Sequence, residues 1–437
     1  MDIQKYLEEF ALVKCSCGKE HNFNVKKIIV EKGAINKIPA LLLEFNAKKP
    51  FIIADKNTYS ACGERLVKIL EDNAIKYSKY VFPFGEIEPD ERAVGSAIMH
   101  FDNTCDLVIA VGSGVINDIG KILSSLSKTP YFIVGTAPSM DGYASATSSM
   151  AMDGLKVSLN SKCAEVIIGD IDVLKNAPLK MLKSGVGDML AKYVSIAEWR
   201  ISNEINGEYY CERVASLIRK AVKEIVDNAD KLLKRDENAV QSVFEGLILG
   251  GVAMAFAGVS RPASGVEHYI SHVLDMRALE FNTKAELHGI QCAIGTNIAS
   301  ELYEKVLKVT PDREKAISFV NAYSYDNHKT ELKTLLGKSA DTMIALEEKE
   351  QKYDKVKHEK RLEVIINKWD KIKEIITEEL PSKKEIERIL EVIKAPKTLN
   401  EIGVNLDLLS IIKATKDIRD KYVLSCLLWD LGVINEI

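Results

Sequence analysis

Between residues 50 and 170 the chain alternates short apolar runs with amphipathic stretches. Pro50–Ala54 (PFIIA) reads as a buried strand ending at Asp55, and Tyr80–Phe84 as a second. Asp106–Val111 (DLVIAV) and Tyr131–Val134 (YFIV) read as a third and a fourth. Residues 60–76, with Leu66, Ile69 and Leu70 on one face, and residues 90–101 have helical spacing. Strands separated by helices predict a parallel sheet covered on both faces. A pair of β segments is expected between Ser148 and Leu159, then a buried strand at Glu165–Gly169. After Pro178 strand-like runs nearly vanish. Met181–Ser202, Tyr209–Leu233, Asn238–Phe256 and Val266–Met276 repeat apolar residues at helical spacing, and helices continue over 284–437. The Lys- and Glu-rich stretch 345–385 reads as a solvated helical face. The expected architecture is an α/β domain with a parallel sheet (1–177), followed by an all-α domain (178–437).

Composition adds mostly exclusions. Of 437 residues 46% are apolar and 28% charged, enough for a large core. A net charge of -4 argues against a broad nucleic-acid surface. The reading finds no apolar run long enough to span a bilayer, so membrane insertion is not expected. The acidic, amphipathic start MDIQKYLEEF lacks a basic-then-apolar leader, which makes a cytoplasmic location the default expectation. Eight scattered cysteines suggest reduced thiols. Cys15-Ser-Cys17-Gly-Lys-Glu-His21 resembles half of a zinc knuckle. No second cysteine pair follows at a suitable spacing, so it reads as a polar turn.

Chemistry enters at the strand ends. Asp106–Val111 runs directly into Gly112-Ser113-Gly114-Val115-Ile116-Asn117-Asp118 and then a helix. Glycines there allow a tight turn and close approach of backbone to a pyrophosphate, while the helix start offers free N–H groups. The third glycine of the usual dinucleotide fingerprint is replaced by Asn117 and Asp118. A plain strand-to-helix turn, with Asp118 favouring the helix start electrostatically, would look the same. Asp55 is placed to accept hydrogen bonds from an adenine ribose and to repel a 2′-phosphate, although Lys56 beside it counters that repulsion; a simple turn residue is the alternative. The loop 135–145, from Gly135 through Asp141 to Ser145, is dense in small and hydroxyl residues at the edge where open α/β sheets bind ligands.

Three of the seven histidines lie within 21 residues: His268, His272 and His288. His268 and His272, spaced i and i+4, share one helix face. That spacing permits one metal to take both, or one as ligand while the other reaches substrate. Asp188, in Ser-Gly-Val-Gly-Asp188-Met, is read as opening a helix after two glycines and as the carboxylate that completes the set. Two histidines and a carboxylate with one position open is the pattern of a catalytic metal site. Core histidines and an N-cap aspartate are the plainer alternative.

The motifs GSGVIND, TAPSMDGYAS, SGVGDMLAKY, RPASGVEHYISH and ELHGIQCAIG occur in order and together resemble the sn-glycerol-1-phosphate dehydrogenases, most of all their bacterial branch. Those enzymes sit in the larger group of glycerol dehydrogenases, iron-type alcohol dehydrogenases and dehydroquinate synthases. The resemblance extends from the CSCGKEH start to the RDKYVLSCLLWDLG tail; related enzymes often have three consecutive glycines where Ser113 here stands between two. It implies that Asp55, Gly114, Val115, Ile116, Asn117, Asp118, Thr136, Ala137, Pro138, Ser139 and Ser145 bind NAD or NADP. It implies that Asp188, His268 and His288 hold one divalent metal (nickel or zinc), that Asp141 and His272 bind substrate, and that Asp188 lies close to it. A homodimer is implied as well.

The expected reaction is therefore metal-assisted reduction of dihydroxyacetone phosphate to sn-glycerol 1-phosphate, with His272 and Asp188 as the catalytic candidates. His272 would orient substrate or relay the proton. Arg261 and Lys192 are candidates for the substrate phosphate. The rival expectations are a dehydrogenase of glycerol or another small polyol, a lyase of dehydroquinate-synthase type, and an inactive ligand-binding relative.

Overall fold

A computed structural model of the chain describes residues 3–83 and 85–436. Six strands form one sheet: β1 (Lys27–Glu31), β2 (Pro50–Asp55), β3 (Ser78–Phe82), β4 (Leu107–Gly112), β5 (Tyr131–Gly135) and β8 (Val166–Asp170). Their order is β1-β8-β5-β4-β2-β3, and every neighbouring pair is parallel. β6 (Thr147–Met152) and β7 (Leu155–Asn160) make an antiparallel hairpin. Asp153 and Gly154 supply the two positive φ angles (54° and 75°) that its two-residue turn requires. β4, β5 and β8 are buried along their whole length, which explains why they read as unbroken apolar runs. β1 escapes the sequence reading because it is only five residues long, with charged residues at both ends. The second strand is shifted toward the N-terminus relative to the expected Tyr80–Phe84, whose last residue lies outside the described residues.

The helices that bear on the site are α1 (Ile3–Leu12), α2 (Gly114–Ser127), α3 (Leu179–Asn206), α4 (Glu237–Ala257), α5 (Val266–Glu280) and α6 (His288–Val306). Packing divides the chain into two compact units. One comprises Met1–Met189 with Ser216–Val259, the other Leu190–Ala215 with Ser260–Ile437. The division expected at residue 178, where strands cease, is therefore not the division made by packing. α4 belongs with the sheet, because Phe244 fills the space over two strand ends. A Cβ on Gly135 or Gly169 would lie 2.7 or 2.3 Å from its ring. α4 also corrects the expectation of no span-length apolar helix. It is long and apolar enough to cross a membrane, and 83% of its most apolar window is buried in the protein.

In the sheet-bearing unit the chain passes from β2 out to β3, then returns to the other side of β2 as β4. Its direction across the sheet thus reverses between β2 and β4, and in open α/β sheets ligands bind beyond the strand ends at such a reversal. Ala54 is in register with Val111, and Gly112 with Gly135. Asp55, the glycine loop and the loop after β5 consequently leave the sheet along one edge. The other unit is a helical core built on Val266, Ile270, Tyr303, Leu336, Ile372 and Leu428.

Candidate active site

The first group of expected residues lies in the sheet-bearing unit. At Gly112 an added Cβ would sit 2.5 Å from Ile116 Cβ, so the turn out of β4 has no room for a side chain. α2 begins two residues later, and its first internal bond runs from Asn117 N to Ser113 O (2.9 Å). The N–H groups of Gly114, Val115 and Ile116 therefore stand outside the intrahelical ladder, at the positive end of the helix dipole. The side chains that follow face inward. Asn117 donates to Gly142 O (3.0 Å) and accepts from Tyr131 Oη (2.9 Å). Lys121 Nζ donates to Gly142 O, Thr147 O and the Asp118 carboxylate at 2.7, 3.0 and 3.3 Å. Burial raises the Asp118 carboxyl above its ordinary pKa, with Lys121 opposing the shift. Asn117 and Asp118 thus tie the glycine loop to residues 142–149, and what this loop presents to an anionic ligand is backbone.

The loop after β5 is built to the same plan. Thr136 N donates to Gly112 O (3.0 Å), Tyr143 Oη donates to Ala137 O (2.6 Å), and the hydroxyls of Ser113 and Ser139 pair at 2.5 Å. Thr136, Ala137, Pro138 and Ser139 are buried. The loop lies against the first part of α3, where a Cβ on Gly185 would stand 2.0 Å from Pro138 O. Ser184 Oγ donates to Ser139 O (2.9 Å), and Asp141 N donates to Asp188 Oδ2 (2.9 Å). Asp188 is fully buried and well inside the helix, so it does not open it as the two glycines suggested. Gly185 serves close approach of the loop instead. Asp55 caps the short helix 56–58, accepting from Thr58 N at 2.8 Å, which realises its turn role. Ser145 closes a local turn with Thr147, their hydroxyls 2.9 Å apart.

The histidines lie in the helical unit, on α5 and at the start of α6. Ring centroids are 5.1 Å apart for His268 and His288 and 6.3 Å for His272 and His288. Hydrogen bonds hold the Nδ1 atoms of two of the rings. His268 Nδ1 donates to Glu267 Oε1 at 2.8 Å. Ser271 Oγ spends its proton on Gln291 Oε1 (2.6 Å) and accepts from His288 Nδ1 (2.9 Å). A histidine whose second nitrogen is held by a carboxylate or hydroxyl has the usual arrangement of a metal ligand. The residues present fit a metal at this cluster.

Sequence reasoning missed Glu267 and Cys292. Cys292 Sγ is 3.6 Å from His288 Nε2, and their i, i+4 spacing on α6 was the signal that would have found it. Burial alone would raise the Cys292 thiol, but the neighbouring His268 and His288 outweigh it and lower its pKa. Beneath the cluster lies Glu198, which accepts from Leu424 N (2.8 Å) and Val266 N (2.9 Å). Burial, reinforced by the charge of Glu267, pushes Glu198 up to about 8. Arg261 does not act as a free phosphate donor. Its guanidinium is buried against both oxygens of Glu208 (2.7 and 2.5 Å) and the Tyr422 carbonyl (2.8 Å). Lys192 is also buried, with Nζ donating to Ala263 O at 3.0 Å.

Residues 29–178 match the family model described as iron-containing alcohol dehydrogenase. A glycerol-1-phosphate dehydrogenase [NAD(P)+] of Bacillus licheniformis is 32% identical over 310 residues, which is 70% of this chain and 77% of that protein. The enzyme of the same name from Bacillus velezensis is 35% identical over 63% of this chain and 73% of its own length. Among solved structures, a glycerol dehydrogenase from Schizosaccharomyces pombe superposes with a TM-score of 0.62 at 17% identity. That match covers 97% of this chain and 92% of the other, a likeness of fold.

Proposed function

The chain belongs to the glycerol-1-phosphate dehydrogenase family, and from that premise we infer that it reversibly reduces dihydroxyacetone phosphate to sn-glycerol 1-phosphate. It is an oxidoreductase of CH–OH groups that uses a nicotinamide dinucleotide and a metal. The observation that carries the reading at residue level is the pair of imidazoles, His268 and His288, their ring centroids 5.1 Å apart and each with Nδ1 held by a neighbouring side chain.

In this proposal His268, His288 and Asp188 hold one divalent metal. Two imidazole nitrogens and a carboxylate oxygen suit zinc and nickel alike. When bound, the metal supplies Lewis-acid polarisation of the ketone. The remaining tasks fall to the chain. The open N–H groups of Gly114, Val115 and Ile116 receive the dinucleotide phosphates, with Asn117 and Asp118 bracing that loop from behind. Thr136, Ala137, Pro138 and Ser139 form the wall beside it, and Asp55 and Ser145 complete the cofactor set. Asp141 and His272 orient the substrate, together with Asp188. A bound nicotinamide would supply the hydride that C2 takes up, and an imidazole nitrogen of His272 would hold the proton for the C2 oxygen. Assembly as a homodimer is proposed from the resemblance and is tested by sedimentation velocity.

The substrate is tested by following NADH and NADPH oxidation with dihydroxyacetone phosphate beside unphosphorylated dihydroxyacetone, and NAD reduction with glycerol. The phosphorylated ketone should be turned over with the highest kcat/KM. Equal or faster turnover of glycerol or dihydroxyacetone would overturn the assignment in favour of a polyol dehydrogenase.

A further inference from the structure

We propose that Cys15, Cys17 and His21 form a second, structural zinc site near the N-terminus, separate from the histidine cluster on α5 and α6. The ligand atoms of these three residues lie within 4.8 Å of one another. Cys17 Sγ and His21 Nε2 are 3.5 Å apart. Tetrahedral zinc with ordinary bond lengths would hold a thiolate and an imidazole nitrogen about 3.6 Å apart.

Local structure explains the convergence. The turn Cys15–Gly18 closes with Gly18 N on Cys15 O (3.3 Å), and Gly18 takes a φ of 82°, a left-handed conformation that favours glycine. The fold of the turn, rather than the sequence spacing, brings two cysteines of a C-x-C pair to one side. His21 is 1% exposed and packs beside the stacked pair of Phe10 and Phe256, with ring centroids 5.9 and 5.5 Å away. Its Nδ1 donates to Phe256 O at 3.0 Å. That bond fixes the tautomer and leaves Nε2 directed at the thiols, the orientation a ligating histidine needs. Two thiolates and a neutral imidazole around Zn²⁺ sum to zero charge, which a buried site tolerates.

The site has a structural purpose. Residues 13–26 contain neither helix nor strand, a long irregular connection for a compact domain. Zinc there would fasten this segment to the end of α4 through His21 and Phe256. The other buried cluster, His328 with Glu347 and Asp417, does not make the same case. Lys416 Nζ already sits 2.9 and 3.0 Å from the two Asp417 oxygens and supplies the cation.

The test uses the full chain carrying His268→Ala and His288→Ala, so that success or failure of the dehydrogenase reading does not enter. Grown with zinc and desalted, this chain should retain about one zinc per chain. Adding Cys15→Ser and Cys17→Ser should reduce that to none. A background chain without zinc, or one whose zinc survives both serine substitutions, overturns the proposal. The chain with native residues gives a second readout that does not depend on the variants folding. Cys15 and Cys17, identified by peptide mass, should resist alkylation until a chelator is added. Equal alkylation with and without chelator overturns the proposal as well.

Discussion

The glycine loop and the histidine cluster build binding capacity in opposite ways. The loop 112–118 turns its polar side chains inward, with Asn117 and Asp118 spent on Gly142, Tyr131 and Lys121, and offers backbone N–H groups. The cluster keeps its backbone inside helices and offers side-chain nitrogens on rings held by Glu267 and Ser271. A backbone site is specified by what cannot be present, namely a Cβ at Gly112. A side-chain site is specified by atoms that must be present. Substitutions should therefore fail differently in the two regions: through lost donor atoms at the cluster, and through steric shifts at the loop.

The largest effect is expected at the donors. His268→Ala and His288→Ala should each abolish tight metal binding and lower kcat by more than about 10³-fold, as read by elemental analysis and steady-state kinetics of one sample. His272→Ala should keep the metal and lose about 10²–10⁴-fold in kcat. Equal metal loss in His272→Ala would erase the distinction between ligand and substrate residue. Glu267→Ala removes the carboxylate that orients His268 and should weaken metal binding by about 10–100-fold. Glu267→Gln, which can still pair with Nδ1, should recover part of that loss in a competitive chelator titration.

At the loop, Gly112→Ala should cost about 1–3 kcal/mol of stability, because its Cβ would lie 2.5 Å from Ile116 Cβ. Gly114→Ala meets nothing nearer than Met140 Cγ at 3.4 Å. It should leave Tm nearly unchanged and raise the KM for the nicotinamide cofactor, since only the incoming phosphates would meet the new methyl. If Gly114→Ala behaves like Gly112→Ala in Tm, the loop is a tight turn and no more.

The smallest expected effect is a pH dependence. Glu198 is raised from 4.5 to about 8, chiefly by burial and then by Glu267. The folded state therefore holds this proton more tightly than the unfolded chain does. Its contribution to stability is full below about 4.5 and is lost as pH rises toward 8. Glu198→Gln should flatten the fall in Tm over that window, and an unchanged Tm profile would contradict the assignment.

Much of this was legible in the sequence. Fully buried strands read as apolar runs, and their glycine-rich ends marked the sheet edge at which the dinucleotide is proposed to bind. The three-histidine cluster stood out by spacing, while the family resemblance chose His268 and His288 as ligands and gave His272 to substrate. What stayed hidden depended on packing. Gly185 and Gly187 looked like a helix start before Asp188, whereas Gly185 lets α3 touch the Pro138 carbonyl. Residues 216–259 read as helical and were assigned to the tail, yet Phe244 packs against strand ends. Arg261 looked available until Glu208 and Tyr422 were seen to hold it. Cys15, Cys17 and His21 lacked a second cysteine pair in sequence, and only the folded turn shows their convergence.

The central claim is that Asp188, His268 and His288 hold the metal on which reduction depends. It is tested most directly by removing the metal with a chelator, assaying NADH oxidation with dihydroxyacetone phosphate, and restoring nickel or zinc one equivalent at a time. Activity should vanish on removal and return with the metal, with no recovery in Asp188→Asn, His268→Ala or His288→Ala. Full activity in the stripped protein, or metal-restored activity in those variants, would contradict the account.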